Sequence, residues 1–464
     1  MIRIFRHYIS SAYLILILLE GIVYLSAIPV AYWFRLGITV GWDEYMLALK
    51  VMSPIYAFAM LTSAASLGLY QRALSQDYAA QVLRMVMVFS IASLVMAVVF
   101  YSLPELFLGR GVLLGAVFYS AVGVTVVRIL FNRYVDSEAI QQRVLVLGAG
   151  EKASQIEEYS NAHKHSGYRV LGFISNTSET QKIADHRIIQ LNRPLHKIAL
   201  NLDIDELVIA LDEERSQIPV DDLFNCKMAG FRIIDFLTFF EKHSGEIRID
   251  MLRPSWLYFS DGFCVDGFVR TIKRMIDLFA SVVVLMLFFP IMVFIALAIS
   301  IESRGKGSIL YRQNRVGQDG CEFEILKFRS MRPDAEENGE AQWAAANDDR
   351  VTRLGSILRK YRLDELPQLY NVFHGEMSLV GPRPERPEFV EELAKVIPYY
   401  KERHQVKPGL TGWAQLNYPY GASVEDAQKK HQYDLYYLKN YSIFLDLLIM
   451  LQTVEVMIWK KGSR

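Results

Sequence analysis

Leu285-Met286-Leu287-Phe288-Phe289-Pro290-Ile291-Met292-Val293-Phe294 is the centre of an uncharged run, residues 278–301, with proline near its middle. On the order of 20 apolar residues are enough to cross a bilayer. Proline removes one helical N–H and crowds the preceding turn, so a helix can bend there. A bent segment can enter and leave one leaflet if its freed carbonyl finds a partner. The run therefore forms either a kinked spanning helix or a re-entrant helix. The two place everything after residue 302 on opposite sides of a membrane.

Four earlier runs, residues 13–34, 49–70, 85–103 and 112–131, also have spanning length. Arg3, Arg6, Arg72, Arg84, Arg128, Arg133 and Arg143 mark one side of them, and Arg35 and Arg110 the other. The positive-inside rule then puts the N-terminus and the chain just after residue 131 in the cytoplasm. Glu20 falls mid-span and is expected to face the bundle, held by a hydrogen bond or a helix contact. The first run is long and lacks a small-residue cleavage pattern, so no cleavable signal peptide is expected.

Composition agrees with a membrane protein that has sizeable soluble parts. Of 464 residues 52% are hydrophobic, and the mean hydropathy is +0.18, which is high for a soluble enzyme. Fifty basic residues balance 50 acidic ones, so charge gives no argument for nucleic acid. Cys226, Cys264 and Cys321 are too few and too far apart for a disulfide framework or a zinc knuckle.

Residues 143–250 alternate strand and helix patterns. Strands are predicted at 144–147, 169–174, 188–191, 207–211 and 231–236, and helices at 153–163, 195–202 and 220–228. This is the pattern of a doubly wound parallel sheet. Gly148-Ala149-Gly150-Glu151-Lys152-Ala153 matches a dinucleotide turn. The second strand ends near Ser175-Asn176, where an acid would hold a ribose hydroxyl, and the chain has no Tyr-x-x-x-Lys. A structural or regulatory Rossmann-like module is the preferred reading. Residues 253–259 read as a connector.

Beyond the broken run, cations gather around a few acids. Lys327, Arg329, Arg353, Arg359 and Arg362 precede the pair Asp364-Glu365, and Gly381-Pro382-Arg383-Pro384 follows it. The acidic pair is expected at a helix start, where backbone N–H groups and the macrodipole keep a carboxylate charged. One guanidinium between two prolines is a stiff mount for gripping phosphate. A charged carboxylate beside a phosphate clamp suggests covalent attack on phosphorus, and such acids can also hold Mg²⁺. A basic surface for lipid headgroups is the plainer alternative. The apolar segment 443–459 reads as a helix that packs on this domain or lies at the interface.

These residues resemble the polyprenyl-phosphate hexose-1-phosphate transferases, the bacterial sugar transferases that start exopolysaccharide and O-antigen synthesis. The likeness covers residues 273–464. It is carried by Gln313-Asn314-Arg315-Val316-Gly317, Lys327-Phe328-Arg329, Leu363-Asp364-Glu365-Leu366-Pro367-Gln368-Leu369, Gly381-Pro382-Arg383-Pro384, Pro408-Gly409-Leu410-Thr411-Gly412-Trp413 and Tyr433-Asp434-Leu435-Tyr436-Tyr437. The whole chain looks like the long, exopolysaccharide form of that family. The resemblance implies a membrane protein of α plus α/β class: four transmembrane helices (1–135), a Rossmann-like module (140–250), a connector (251–270) and a mainly helical monotopic catalytic domain (271–464). It also implies a re-entrant helix, 275–301, broken at Pro290. Members often carry Ser before that proline, whereas this chain has Phe289.

The implied reaction moves a hexose 1-phosphate, with glucose or galactose as the hexose, from a UDP-sugar to undecaprenyl phosphate and releases UMP. The resemblance makes Asp364 the nucleophile that carries an aspartyl phosphosugar. Glu365 shapes an Mg²⁺ site with Asp364 or manages protons. Lys327, Arg329, Arg362, Arg383 and Asp434 line the phosphate site. The expected setting is the bacterial inner membrane, among its lipids, as a homodimer with soluble parts in the cytoplasm. Two rival functions are a tethered NAD-dependent sugar dehydratase and a non-catalytic scaffold.

Overall fold

The computed structural model describes the chain except residues 1, 5–6, 10, 37–44, 47, 71–77, 107–108, 136–140, 163–166, 176–179, 213–218, 253–255, 257–259, 264–265, 333–349, 419–420, 422 and 460–464. It forms two compact units, the main part of the first running from Tyr8 to Ser244 and that of the second from Gly245 to Arg464.

The first unit begins with helices α1 (Ser11–Leu36), α2 (Ser53–Ser66), α3 (Tyr78–Ser102) and α4 (Arg110–Val135). Three of them hold segments long and apolar enough to cross a membrane: Leu14–Arg35, Gln81–Ser102 and Arg110–Phe131. The expected span at 49–70 is different. Its α-helix is only 14 residues long, starts with Pro in its first turn and follows a wide turn, Ala48–Met52. The two are continuous, so the chain is helical from Ala48 to Ser66, and at ~1.5 Å per residue that length approaches a ~30 Å hydrocarbon core. Proline suits a helix start because the N–H it lacks would be unpaired there anyway. The fourth helix of spanning length, Gly267–Glu302, lies in the second unit.

Tyr24, Ile28, Tyr56, Met60, Ala92, Met96, Ala116 and Val124 fill the core of this bundle, while Leu18, Ile22 and Phe118 point outward. Exposed apolar faces of this kind suit lipid. Glu20 is fully buried, as its mid-span position demands. Arg128 Nε lies 2.6 Å from one of its oxygens, and Tyr70 donates to the other at 2.7 Å. Arg128 and Arg84 also donate to the carbonyls of Leu69 and Leu67, just past the end of α2. Those carbonyls would otherwise lack partners away from water.

The rest of this unit is a four-stranded parallel sheet. Its strands are β1 (Gln142–Leu147), β2 (Tyr168–Ile174), β3 (Glu206–Ile209) and β4 (Arg232–Asp235), in the order β2-β1-β3-β4. Helices α5 (Glu151–Ala162), α6 (Leu195–Asn201), α7 (Val220–Met228) and α8 (Phe236–Ser244) alternate with them. Val144 to Leu147 are buried throughout, as a strand covered on both faces requires. The strand expected at 188–191 reduces to a single bridge from Ile188 to Phe173. The tight turn Asp185–Arg187 precedes it and Pro194 follows closely, leaving little room for a ladder. Helix α8 takes up part of the expected strand 231–236. It buries Phe236, Phe239 and Phe240 and closes a buried ion pair from Lys242 to Glu206, 2.7 Å.

The second unit is built on α9 (Gly267–Glu302), which is capped by Asp266 and remains helical through Pro290. After it come an antiparallel hairpin, β5 (Leu310–Val316) and β6 (Glu322–Phe328), then α10 (Arg353–Lys360) and α11 (Gln368–His374). β7 (Ser378–Val380), α12 (Pro387–Val396), β8 (Gly409–Thr411), α13 (Val424–Lys439) and α14 (Ile443–Trp459) complete it, with β7 and β8 paired in parallel. Their shared core includes Ile247, Ile249, Leu369, Val372, Val380, Trp413, Leu435, Tyr436, Leu445 and Ile449. Chain ahead of the expected connector thus contributes to this core. The connector at 253–259 lies outside the described residues apart from Trp256.

Both ends of α9 are tied to this one unit. Near its start, Lys273 bonds Asp446 (2.6 Å) and the Val380 carbonyl (3.0 Å), Arg274 bonds the Val372 carbonyl (2.6 Å), and Asp277 accepts from Leu379 N (3.1 Å). Near its end, Ile295 and Ile299 pack with Phe328 and Leu358, and Glu302 accepts from Leu354 N at 3.1 Å. Between them Met286, Leu287, Phe289 and Phe294 are exposed.

Candidate active site

Two separate pieces of chain bring cations to Glu365. Arg362 adopts the left-handed region, φ 55°, so the chain folds sharply into a tight turn, Leu363–Glu365, just ahead of α11. The acidic pair was expected on the first turn of a helix, fixed by backbone N–H groups. It lies on a single 3₁₀ turn that leads into α11, and no side-chain cap forms there. Cations hold it. Lys327 comes from β6, paired across the hairpin with Tyr311, and lies 3.3 Å from Glu365 Oε1. Arg383 donates to the same oxygen at 2.8 Å.

The electrostatics separate the two neighbouring acids. Burial alone would raise Glu365, but Arg383 and Lys327 overcome it and hold its carboxyl well below the ordinary range. Asp364, 8% exposed, moves the other way: burial and the adjacent Glu365 raise it against the pull of Lys327, Arg359 and Arg383. Burial also lowers Lys327, an effect that Glu365 opposes. The surroundings thus drive Glu365 toward its anion and make Asp364 the weaker acid of the two.

The Arg383 loop is fixed by its own carbonyls. Two prolines remove two N–H groups from Gly381-Pro382-Arg383-Pro384, so the loop can be held chiefly as an acceptor. Pro382 O accepts from Gly409 N (2.9 Å), Arg383 O from Arg403 (2.9 Å), Pro384 O from Arg315 (3.2 Å) and Glu385 O from Val316 N (3.0 Å). Gly381 and Gly409 pass so close that a Cβ on either would overlap the backbone of the other.

Asp434, expected to line the phosphate site, stands one layer behind it. It pairs with Arg403 at 2.8 Å, and Arg403 also donates to Tyr400 (2.8 Å). Burial pushes Asp434 up to about 6 despite Arg403. Arg362 acts on Glu365 through charge alone. Arg329 is placed by its backbone N–H on the Ile309 carbonyl, and among the described residues no hydrogen bond joins its side chain to the acidic pair. Arg359, which donates to Ser330 Oγ at 2.9 Å, is with Lys327 and Arg383 one of the cations that oppose the rise of Asp364. Arg403 was not foreseen from the sequence. Its sequence neighbours Lys401, Glu402, His404 and Gln405 are charged or polar, so nothing in that segment marks a buried cation.

The oxygen donors suit a hard cation only with outside help. Among the described residues no group of three or more His, Cys, Asp or Glu side chains is arranged to hold a metal. Mg²⁺ is commonly held by one or two carboxylates, with substrate phosphates and water supplying the remainder. Asp364 and the Glu365 oxygen not bonded to Lys327 and Arg383 meet that minimum.

A family model described as bacterial sugar transferase matches residues 268–460. The chain is 40% identical over 242 residues to a UDP-N-acetylgalactosamine-undecaprenyl-phosphate N-acetylgalactosaminephosphotransferase of Aeromonas hydrophila, covering 52% of this chain and 56% of that protein. It is 31% identical over 361 residues to a UDP-glucose:undecaprenyl-phosphate glucose-1-phosphate transferase of Xanthomonas campestris pv. campestris, 73% of this chain and 71% of the relative. Against an exopolysaccharide production protein PSS of Rhizobium leguminosarum bv. phaseoli the identity is 40% over 192 residues, which cover 39% of this chain and 93% of the relative. The chain thus spans little more than half the length of the Aeromonas relative.

Proposed function

The chain belongs to the bacterial sugar transferase family, and from that premise we propose that it moves a hexose 1-phosphate from a UDP-sugar to undecaprenyl phosphate. The observation that carries this reading is the division of labour between Asp364 and Glu365. Glu365 organises Lys327 and Arg383 and stays ionised, so it orients cations and carries no proton at neutral pH. Asp364, buried beside it, is the nucleophile. Its oxygen bonds the β-phosphorus of the donor, the bond from that phosphorus to the bridging oxygen breaks, and UMP leaves with the electron pair. A phosphate oxygen of the lipid then attacks the aspartyl phosphosugar and frees Asp364.

Arg383 is the most exposed of the three charges around Oε1, with 36% of its side chain accessible against 20% for Lys327 and 11% for Glu365. It is placed to meet the donor diphosphate, while Lys327 steadies the anion behind. Asp364 and Glu365 would hold Mg²⁺, which when bound offsets charge on the diphosphate. Names of relatives include glucose and N-acetylgalactosamine, and UDP-glucose is the first donor to try.

The re-entrant reading of α9 is supported by its anchoring. Lys273 and Glu302 both bond groups of the same unit, and a helix crossing the bilayer would carry them to opposite faces. We place the catalytic unit on the cytoplasmic face of the inner membrane, where UDP-sugars are made. Dimer formation and a role in exopolysaccharide synthesis belong to the same proposal. The test is UMP release from a UDP-sugar panel by the purified chain. Release that turns over only with undecaprenyl phosphate is the expected result, and release indifferent to the lipid would refute the acceptor.

A further inference from the structure

Gly148-Ala149-Gly150 follows β1 and opens α5, the kind of turn whose backbone N–H groups receive the pyrophosphate of a dinucleotide. Here those groups already bind an anion. The Asp212 carboxylate, beyond the end of β3, accepts from the backbone N–H of Glu151 on one oxygen and from that of Lys152, 2.9 Å, on the other. Lys152 Nζ turns back to the Leu211 carbonyl, 2.5 Å.

Both glycines serve this closure. Gly148 lies at φ 131°, where a Cβ would overlap the Ala210 carbonyl, and a Cβ on Gly150 would overlap the Asp212 carboxylate. From a second direction Lys182 N–H donates to the Ala149 carbonyl at 2.8 Å, and its ammonium pairs with Glu151. Two separate parts of the chain therefore close on the turn.

We propose that Asp212 is the resident anion of this cradle and that the native module binds no dinucleotide through it. A diphosphate would have to displace two charge-assisted hydrogen bonds and approach a fixed negative charge. Removing the carboxylate opens an anion site at the start of α5.

The experiment is calorimetric titration of the full-length chain in detergent with NAD⁺ and, separately, inorganic diphosphate. Both proteins carry the diphosphate site at Arg383, so the wild type is expected to give that single diphosphate equivalent and no NAD⁺ binding at millimolar ligand, and Asp212→Ala to add a second diphosphate equivalent at least tenfold tighter than any second binding by the wild type. Asp212→Asn keeps an acceptor oxygen for one N–H and serves if the alanine variant does not fold; it too must gain affinity. Wild-type binding of NAD⁺ or diphosphate equal to that of the variants would overturn the proposal, as would a folded variant with no gain.

Discussion

At the scale of single residues, two neighbouring carboxylates, Asp364 and Glu365, take different parts in the proposed chemistry. Asp364→Asn should abolish turnover, because an amide is a poor nucleophile. Arg383→Lys should lose activity about 10- to 100-fold, the worth of a charge-assisted hydrogen bond that an ammonium places poorly. Steady-state kinetics checks both, and wild-type rates in either variant would contradict the assignment. Asp434 gives a third test through pH. Its carboxyl sits near 6, so it is ionised above that value and pairs with Arg403, which pins the Arg383 carbonyl. As pH falls through about 6 the pair loses its charge and activity should decline. Asp434→Asn should be impaired at neutral pH and lack that acid limb, whereas an unchanged limb would show that Asp434 does not set it. The residues at the centre of the site were legible because they sit in short motifs with stiff backbones. Arg403 was not, since its role exists only once a distant segment folds behind the loop.

At the scale of elements, α9 carries the main predictions. Lys273 and Asp446 are a buried pair joining its start to α14. Asp446→Ala should destabilise the catalytic unit by about 3–5 kcal/mol, because it strands a buried ammonium. Lys273→Met combined with Asp446→Leu should recover most of that loss, as read by thermal melting. For topology, cysteines placed at 270 and 306 in a cysteine-free chain should both be shielded from an impermeant thiol reagent outside intact cells. Both should react once the inner membrane is opened, and Pro290→Leu should expose 306 to the outside in part of the population. Labelling of 306 from outside in the unmodified helix would mean a spanning segment. Legibility of the elements followed periodicity. The alternating sheet and α7 were readable because apolar residues recur at strand and helix spacing. α8 was missed because Phe236, Phe239 and Phe240 continue the apolar β4 without a break between the two patterns. The 49–70 run is helical from Ala48 to Ser66, its first turn wound more widely than the rest.

At the scale of the whole molecule, the proposed chemistry belongs to one unit. Asp364, Glu365, Lys327 and Arg383 all fall after Gly245, and so do Arg315 and Arg403, which hold the Arg383 loop. A chain starting at residue 245 should therefore keep transferase activity without the helices and sheet before it. Starting at residue 265 instead removes Ile247 and Ile249 from the core, together with the Gly245 carbonyl that accepts from Trp413. That shorter piece should melt at a lower temperature, and equal stability of the two would show those residues to be dispensable. The most direct measurement of the central claim is intact-protein mass spectrometry after mixing the enzyme with its UDP-sugar in the absence of lipid phosphate. One hexose phosphate should be added per chain, located on Asp364, with one equivalent of UMP released. Addition of undecaprenyl phosphate should then remove the adduct. A chain that turns over with lipid present yet never gains that mass, or gains it in Asp364→Asn, would contradict a covalent transfer through Asp364.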